Sequence, residues 1–385
     1  MIISHLQLKN WRNFRKVDVK LGQRMFIVGP NASGKSNLLD VFRFLRDVAK
    51  AGGGLQTAVA DRGGLSKIRC LAARQEPDVE IDIKLSNNPG NQASWRYAVG
   101  IKQEVRGSRR PLLRYEKVWQ DDVQILDRPD KSDEEDPERM TQTHLEQIST
   151  NVKFREISRL IESIHYLHVV PQLLRHPKAF SGRGLPDDPF GRDLLLTIGK
   201  ATPKTRQSRL HKIGQALKIA VPQLSQLDYV IASEEGGIPH LEALYKHWRP
   251  YGAKQREQDF SDGTLRLIGL LWSLLEGDAP LLLEEPELSL NVAIVRKLPG
   301  LMHRLTQKNK RQVILSTHSK DLLDDRGIGS DEILLLVPDQ EGTKVEVTSD
   351  DAEIEALLNE GMSPGEAVIP KTEPPNSQQL LLFPV

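Results

Sequence analysis

The chain has one cysteine, Cys70. That excludes an intramolecular disulfide framework and any cysteine-built zinc or iron–sulfur site. Aromatic residues make up only 5% of the sequence, which argues against a stacking surface for carbohydrate. Charge of one sign is missing too: 53 Lys and Arg stand against 52 Asp and Glu, so net charge advertises neither a nucleic-acid footprint nor an acidic tail. No apolar run approaches the ~18 residues of a membrane helix, and the N-terminal MIISHLQLKNWRNF turns polar too early for a secretory signal. The expectation is a soluble, cytoplasmic protein without a membrane partner, and 385 residues allow two or three domains.

What is present begins as α/β pattern. Ile2 to Leu8 alternates apolar with polar, and Met25 to Val28 is a short apolar run, so two strands are predicted in this opening stretch. Leu38, Leu39, Val41, Phe42, Leu45 and Val48 then recur at helical spacing. Val79 to Leu85 and Trp95 to Ile101 read as strands of a β meander that turns at Asn88-Pro89-Gly90. SDEEDPER, at 132–139, reads as a solvated linker. From Thr141 to about Gln226 the pattern is helical and suggests a lid, with Ile157, Leu160, Ile161 and Ile164 in one helix and Leu210, Ile213, Leu217 and Ile219 in another. Alternation of helix and strand resumes near Asp259: helix at 265–275, strand at 280–283, helix at 292–306, strands at 312–316 and 333–337. After Gly361 the prolines Pro364, Pro370, Pro374 and Pro375 predict a disordered tail.

Four motifs carry chemistry. Gly29-Pro30-Asn31-Ala32-Ser33-Gly34-Lys35-Ser36 is a G-x-x-x-x-G-K-S phosphate loop between an apolar strand and a helix. Its backbone N–H groups converge on phosphates, the helix start adds partial positive charge, Lys35 reaches the β/γ oxygens and Ser36 is a Mg²⁺ ligand. Leu281-Leu282-Leu283 then delivers Glu284 and Glu285 to a strand end, where α/β sheets bind ligands. Glu284 suits the metal, and Glu285 suits the attacking water that phosphoryl transfer must position. Ile314-Leu315-Ser316-Thr317-His318 ends a further strand in a histidine aimed at the same edge, a γ-phosphate sensor. Ser261-Asp262-Gly263-Thr264-Leu265-Arg266 opens an apolar helix, where Ser261 or Asp262 reads as an N-cap and the helix start as an anion site; both can hold.

In this order the motifs resemble ABC-type ATPases of the RecF/SMC branch, and within them the AAA_21-type and OLD-like predicted ATPases, whose signature often reads SDGTLR and whose acid pair reads EEPE. The resemblance covers roughly residues 1–50 and 255–340. It implies a P-loop ABC-type ATPase head of α/β class interrupted by a β meander and a helical lid: an N-terminal lobe at 1–130, a mainly helical insertion at 131–255, a C-terminal lobe at 256–362 and a flexible tail at 363–385. It implies ATP and Mg²⁺ as cofactors and a homodimer in which Ser261, Gly263, Thr264 and Arg266 of one copy face the ATP held by Lys35 and Asn37 of the other. Arg12, Asn13 and Phe14 of NWRNFR would lie near the nucleotide. Gln75 is the positional candidate for the Q-loop glutamine, a further metal contact. ATP is preferred over GTP because no guanine-reading N-K-x-D element accompanies the loop.

Sustained heptads are absent, which argues against coiled-coil arms, and the segment after His318 is too short for the nuclease domain of OLD relatives. The resemblance then implies a nuclease or other effector supplied in trans, with anti-phage defence as the setting, or a RecF-like repair ATPase that clamps DNA itself. The basic clusters at 106–110 and at Lys204, Arg206, Arg209 and Lys212 are either DNA contacts or solvated faces. Gln379-Leu380-Leu381-Leu382-Phe383 resembles a sliding-clamp-binding peptide, against the alternative of an apolar tail that docks on its own domain, a second subunit or the effector.

Overall fold

The structure, a computed structural model, describes residues 1–74, 76–176, 188–232, 237–246 and 252–373. Strands β1 (Ile2–Trp11), β2 (Phe14–Lys20) and β3 (Arg24–Val28) come first. Sequence pattern predicted only two strands there. β2 was hidden because its inward residues, Phe14, Val17 and Val19, are spaced unevenly across a charged strand. Helix α1 (Lys35–Ala49) follows the phosphate loop, and the short helices α2 (Leu55–Ala60) and α3 (Leu65–Ile68) lead into the meander: β4 (Val79–Ser86), β5 (Trp95–Gln103), β6 (Pro111–Gln120) and β7 (Val123–Arg128). These strands form a six-stranded antiparallel sheet in the order β2-β1-β4-β5-β6-β7.

The predicted solvated linker is corrected. Its Asp133, on α4 (Lys131–Glu135), is buried and accepts from Arg128 at 2.8 and 2.9 Å and from Arg139 at 3.0 Å. Arg128 also donates to Glu116 at 3.0 Å, and both side chains are sealed from solvent. The charge run thus conceals a buried ion network that staples segment 131–139 to the meander.

The helical-lid expectation is corrected as well. Helix α5 (Arg155–Glu162) packs on α1, and β8 (His165–Leu167) then enters the main sheet beside the strand of the paired acids. Helices α6 (Pro171–Arg175), α7 (Leu194–Lys200) and α8 (Pro203–Ala220) precede a small antiparallel sheet of β9 (Leu224–Ala232), β10 (Ile238–Tyr245) and β11 (Ala253–Arg256). Ile219 is exposed, so the apolar face of α8 ends at Leu217.

The main sheet runs β15-β14-β3-β13-β12-β8, using β12 (Leu281–Glu284), β13 (Val313–Thr317), β14 (Ile333–Asp339) and β15 (Gly342–Val347); all pairs are parallel except β14 with β15. Strand alternation sorts its side chains into two cores. Met25, Ile27, Leu282, Ile314, Leu334 and Leu336 face α1, α5 and the antiparallel sheet. Phe26, Val28, Leu281, Leu283, Val313 and Leu315 face α9 (Asp262–Leu275), which is buried along nearly its whole length, and the helices beside it. The helix predicted at 292–306 is two, α10 (Val292–Val295) and α11 (Leu298–Asn309), with Pro299 fitting the first turn of the second. Helix α12 (Lys320–Leu323) follows β13.

The chain beyond Gly361 corrects the disorder expectation as far as Glu373. After α13 (Ala352–Asn359), Ser363 and Glu366 form a capping box that starts α14 (Pro364–Val368), and Ala367 and Val368 are buried. The candidate clamp peptide at Gln379–Phe383 lies outside the described residues.

Candidate functional site

Parallel strands deliver their ends to one edge of a sheet. Here β3 leads into the phosphate loop, β12 ends at the acids and β13 ends before His318, and the three are neighbours. The loop turns through Ala32 at φ 62° and Gly34 at φ 99°, alternations that point backbone N–H groups inward. Gly34 also has no room for a side chain: a Cβ would sit 2.2 Å from the Asn13 amide. Asn13 is the clamp of this loop, donating to the Ser33 carbonyl at 2.7 Å and to Thr343 at 2.8 Å and accepting from Asn37 at 2.8 Å. Gly29 packs its backbone against Leu336, where a Cβ would be 2.8 Å from that residue's Cβ.

Lys35 is buried and folds back on its own loop, donating to the carbonyls of Gly29 at 2.9 Å and Pro30 at 3.1 Å. Burial pushes its pKa down, while Glu285, Glu284 and Glu287 oppose that shift. Ser36 donates to one carboxylate oxygen of Glu284. Tyr166 of β8 donates to the other, with the Arg43 guanidinium 4.2 Å from its ring centre. His168 holds the Glu284 backbone carbonyl at 3.1 Å. Glu285 lies in the left-handed region at φ 43°, an uncommon state for a residue with a side chain, and its carboxylate meets His318 Nδ1 at 3.0 Å. A hydroxyl and a carboxylate in contact at a helix start are hard oxygen donors that suit Mg²⁺.

Glu287, the third acid of EEPE, is buried and accepts from Thr317 at 2.5 Å, and Thr317 in turn accepts the Ser319 N–H at 3.0 Å. Burial raises its pKa. Glu287 therefore fixes the backbone turn on which His318 stands.

Ser261 caps α9, accepting from Thr264 N–H at 3.2 Å, and its residue is exposed. Gly263 is forced by close approach, since a Cβ would lie 2.5 Å from the Ser289 carbonyl in the loop after the acids. Asp262 is tied to α6 by Gln172 at 3.0 Å and Arg175 at 2.6 Å. Arg266, expected to face a partner's nucleotide, is instead 7% exposed within its own chain, where it lines a small void with Leu283, Glu284 and Pro286. Its Nε and Nη1 have no hydrogen-bond partner among the described residues, and desolvation lowers its pKa.

Arg12 and Asn37 border a surface cavity of about 700 Å³ beside the loop, with Lys67, Arg69 and Arg74. Arg12 pairs with Asp40 at 2.7 Å, and Arg62 holds the same carboxylate at 2.9 Å. Phe14 differs: it is fully buried in the core, so its expected place at the nucleotide is corrected to one of support. Asn31 is exposed at the loop tip, and Gln75 lies outside the described residues. Tyr166, His168 and Glu287 were not among the sequence candidates. Only Glu287 had a signal, as the third acid of a motif already singled out.

Residues 24–325 match the family described as AAA domain, putative AbiEii toxin, Type IV TA system. Over 96 residues, 24% of this chain and 23% of that protein, the sequence is 30% identical to DNA replication and repair protein RecF of Clavibacter sepedonicus. Over 91 residues, 23% and 25% of the two chains, it is 32% identical to the protein of the same name from Agathobacter rectalis. The match thus spans about a quarter of these relatives' length. In fold the chain is similar to an Smc head bound to the C-winged helix domain of ScpA, with TM-score 0.51, 17% identity and coverage of 90% of this chain and 98% of that one. It is also similar to the Pyrococcus furiosus Smc head domain with an extended coiled coil, bound to the C-terminal domain of ScpA, with TM-score 0.50, 13% identity and coverage of 93% and 99%. With the family match running across most of its length and a phosphate loop, paired acids and a histidine gathered at adjoining strand ends, this chain belongs to the AAA_21 family and has the fold of an Smc-type ATPase head.

Proposed function

We propose that the chain is an ATP-hydrolysing switch that works as a homodimer closed around ATP. The observation that carries the reading is a pair of contacts at one sheet edge: Ser36 with Glu284, and His318 with Glu285 at 3.0 Å. The loop N–H groups bind the phosphates, and Lys35 exchanges the Gly29 and Pro30 carbonyls for phosphate oxygens. Mg²⁺ held by Ser36 and Glu284 supplies charge neutralisation at those oxygens. Glu285 orients the attacking water and accepts its proton, while His318 holds that carboxylate in place and contacts the γ-phosphate. Ser261, at the exposed start of α9, meets the nucleotide of a second copy, so hydrolysis is slow until two chains pair. The division into lobes at 1–130 and 256–362 with an insertion at 131–255 belongs to this proposal, and the packed segment 363–373 goes with the second lobe.

The output is delivered to a nuclease or other effector in trans, in bacterial anti-phage defence; the family description, with its toxin–antitoxin system, supports an output through a second protein. A second reading, a DNA-repair ATPase of the cytoplasm that clamps DNA directly, is favoured by the identity to proteins named RecF. Among the described residues no helix is long and apolar enough to cross a membrane.

The test is the mass of Glu285→Gln by light scattering. A mass that doubles with ATP and Mg²⁺, and fails to do so when Ser261→Arg is added, supports the composite site. A mass indifferent to ATP in the presence of bound nucleotide rejects it.

A further inference from the structure

We propose that the open edge of β9, beside α8, takes an extended acidic peptide of a partner protein as an added antiparallel strand. The small sheet runs β11-β10-β9, so each outer strand has one edge to protect. At β11 the edge is short and carries Lys254 and Arg256, the usual guards against a further strand. At β9 it runs the full length of Leu224–Ala232, with Asp228 as its one charged residue and no proline. An edge of that kind is a template for pairing.

Two residues of β10 fix which backbone groups point outward. Pro239 lies opposite Ile231 and has no N–H, and Leu241, opposite Tyr229, donates its N–H at 2.9 Å to Glu257, which follows β11. These are therefore the non-hydrogen-bonded pairs of the ladder, alternating with bonded pairs at Val230–His240 and Asp228–Glu242. It follows that the N–H and C=O groups of Leu227, Tyr229 and Ile231 face away from β10. Among the described residues they have no backbone partner.

A groove of about 500 Å³ lies along them. It is lined by 225–229 in unbroken succession, and because strand side chains alternate between faces, a groove touching every residue follows the backbone edge. That stretch spans about 17 Å at ~3.4 Å per residue. The opposite wall is one stripe of α8, recurring at helical spacing from Pro203 to Lys218. Helix and strand run in opposite directions: a Cβ on Gly214 would sit 3.7 Å from the Leu227 Cβ, and Arg206 lies 4.6 Å from the Tyr229 ring centre. Thr202 caps the helix, accepting from Thr205 N–H at 3.3 Å, which fixes where this wall begins.

Charge selects the occupant. From Leu194 to Leu227 the chain contains no Asp or Glu, and α8 carries Lys204, Arg206, Arg209, Lys212 and Lys218. Arg209 serves the core side, paired with Glu276 at 3.5 Å and 5.0 Å from the Trp272 ring centre, whereas Arg206, His211 and Lys218 line the groove. Residues directly opposite in an antiparallel pair share a face. Peptide residues bonded to Leu227 and Tyr229 thus turn their side chains toward α8, as those two do, and acids fit there. The intervening residues turn toward the face of Asp228, where an acid is repelled. The pattern recognised is acid-x-acid. Donors and acceptors alternate along the edge, which another strand matches in full; the phosphates and sugars of DNA offer acceptors and would leave the edge carbonyls unmet. A second copy would bring an equally cationic α8 against this one, and the chain's own residues 374–385 contain no acid. The site does not rest on the ATP-driven switch and shares no residue with it.

The experiment is fluorescence anisotropy of the labelled, acetylated peptide Glu-Val-Glu-Val-Glu-Val with the full chain. Wild type is expected to bind it at least about tenfold more tightly than Lys-Val-Lys-Val-Lys-Val. N-methylating the Glu residues removes the N–H groups of the new ladder and is expected to weaken binding at least about tenfold, whereas N-methylating the Val residues leaves it within about twofold. His211→Glu/Lys218→Glu is expected to reverse the preference toward the lysine peptide, with ATP affinity retained as the sign of an intact fold. The proposal is overturned if wild type binds neither peptide, if both methylation patterns weaken binding equally, or if the double variant keeps the acidic preference. A short DNA duplex that displaces the peptide from wild type and not from the double variant assigns the groove to DNA and overturns it too. So does a chain ending at Glu373 that binds the peptide when the full chain does not, since the edge then belongs to the tail.

Discussion

Tyr166 and Glu284 are 118 positions apart, yet the phenol of the first donates to the carboxylate of the second. The same carboxylate accepts from Ser36, so both of its oxygens are held before any metal arrives. Strand β8 thereby links the segment after the meander to the acid proposed for Mg²⁺. Tyr166→Phe removes only the hydroxyl and leaves the ring beneath Arg43. Losing a hydrogen bond to a charged group is worth about 1.5–3 kcal/mol, roughly ten- to a hundredfold. The expected result is weaker Mg²⁺-dependent nucleotide binding, with affinity in excess chelator near wild type. Equal losses with and without Mg²⁺ would assign Tyr166 a packing role instead.

His144 predicts a pH dependence. Its ring is buried beside Arg128 and Arg139, and desolvation first, then the Arg128 charge, pushes its pKa down to about 4. The unfolded value is about 6.5, so between these two pH values the unfolded chain binds more protons than the folded one. Stability therefore falls as pH drops through that window and changes no further from this source below about pH 4. In His144→Leu this slope is absent. Thermal melts of both proteins from neutral pH downward should diverge in the variant's favour between about 6.5 and 4; parallel curves would show that the imidazole is not the source.

The chemistry was legible in the sequence where a motif is local. The loop from Gly29 to Ser36, the Glu284–Glu285 pair and His318 each announce themselves within a few residues, because a strand end and its following turn are short-range structures. Tyr166 has no such signal. Its strand is three residues long and its partner is remote, so apolar periodicity around it belongs equally to the flanking helices. Asp133 was misread for the opposite reason: one buried acid inside a run of exposed ones has the same local composition as a solvated linker, and only Arg128 reveals it. Phe14 and Arg266 sit inside motifs whose neighbours line the site, but side-chain direction, which spacing does not report, turns both inward.

Gly263 separates packing from capping at the start of α9. A Cβ there would meet the Ser289 carbonyl at 2.5 Å, and Ser289 belongs to the loop that leaves Glu285. Gly263→Ala must displace that loop. Ser261→Ala, by contrast, removes a cap worth about 1 kcal/mol and creates no clash. Gly263→Ala is therefore expected to lower ATP turnover further than Ser261→Ala, which loses the proposed contact of its hydroxyl with the second copy's nucleotide but keeps the loop after the acids in place, while leaving ATP affinity intact. Steady-state hydrolysis beside equilibrium nucleotide binding checks this ordering, and identical turnover in Gly263→Ala and wild type would mean that the loop after the acids yields without consequence.

Arg128 carries the largest predicted loss of stability. Its guanidinium serves Asp133 and Glu116 together and also donates to the carbonyls of Gln142 and Arg139 at 2.9 Å. Glu116 accepts further bonds from Tyr97 at 3.1 Å and from the His144 and Leu145 N–H groups at 2.7 and 3.1 Å. Burial raises the pKa of Glu116 against these bonds. Arg128→Met keeps much of the side-chain volume but strands the buried Glu116 carboxylate and leaves Asp133 with Arg139 alone, and breaking such a buried pair from one side costs about 3–5 kcal/mol. Substituting the acids as well, in Arg128→Met/Glu116→Leu/Asp133→Leu, removes the stranded charges and should recover most of that loss. Urea unfolding of wild type, the single and the triple variant distinguishes the two terms: a triple variant as unstable as the single one would mean that the hydrogen bonds to the 139–145 backbone, rather than charge compensation, hold this segment on the meander.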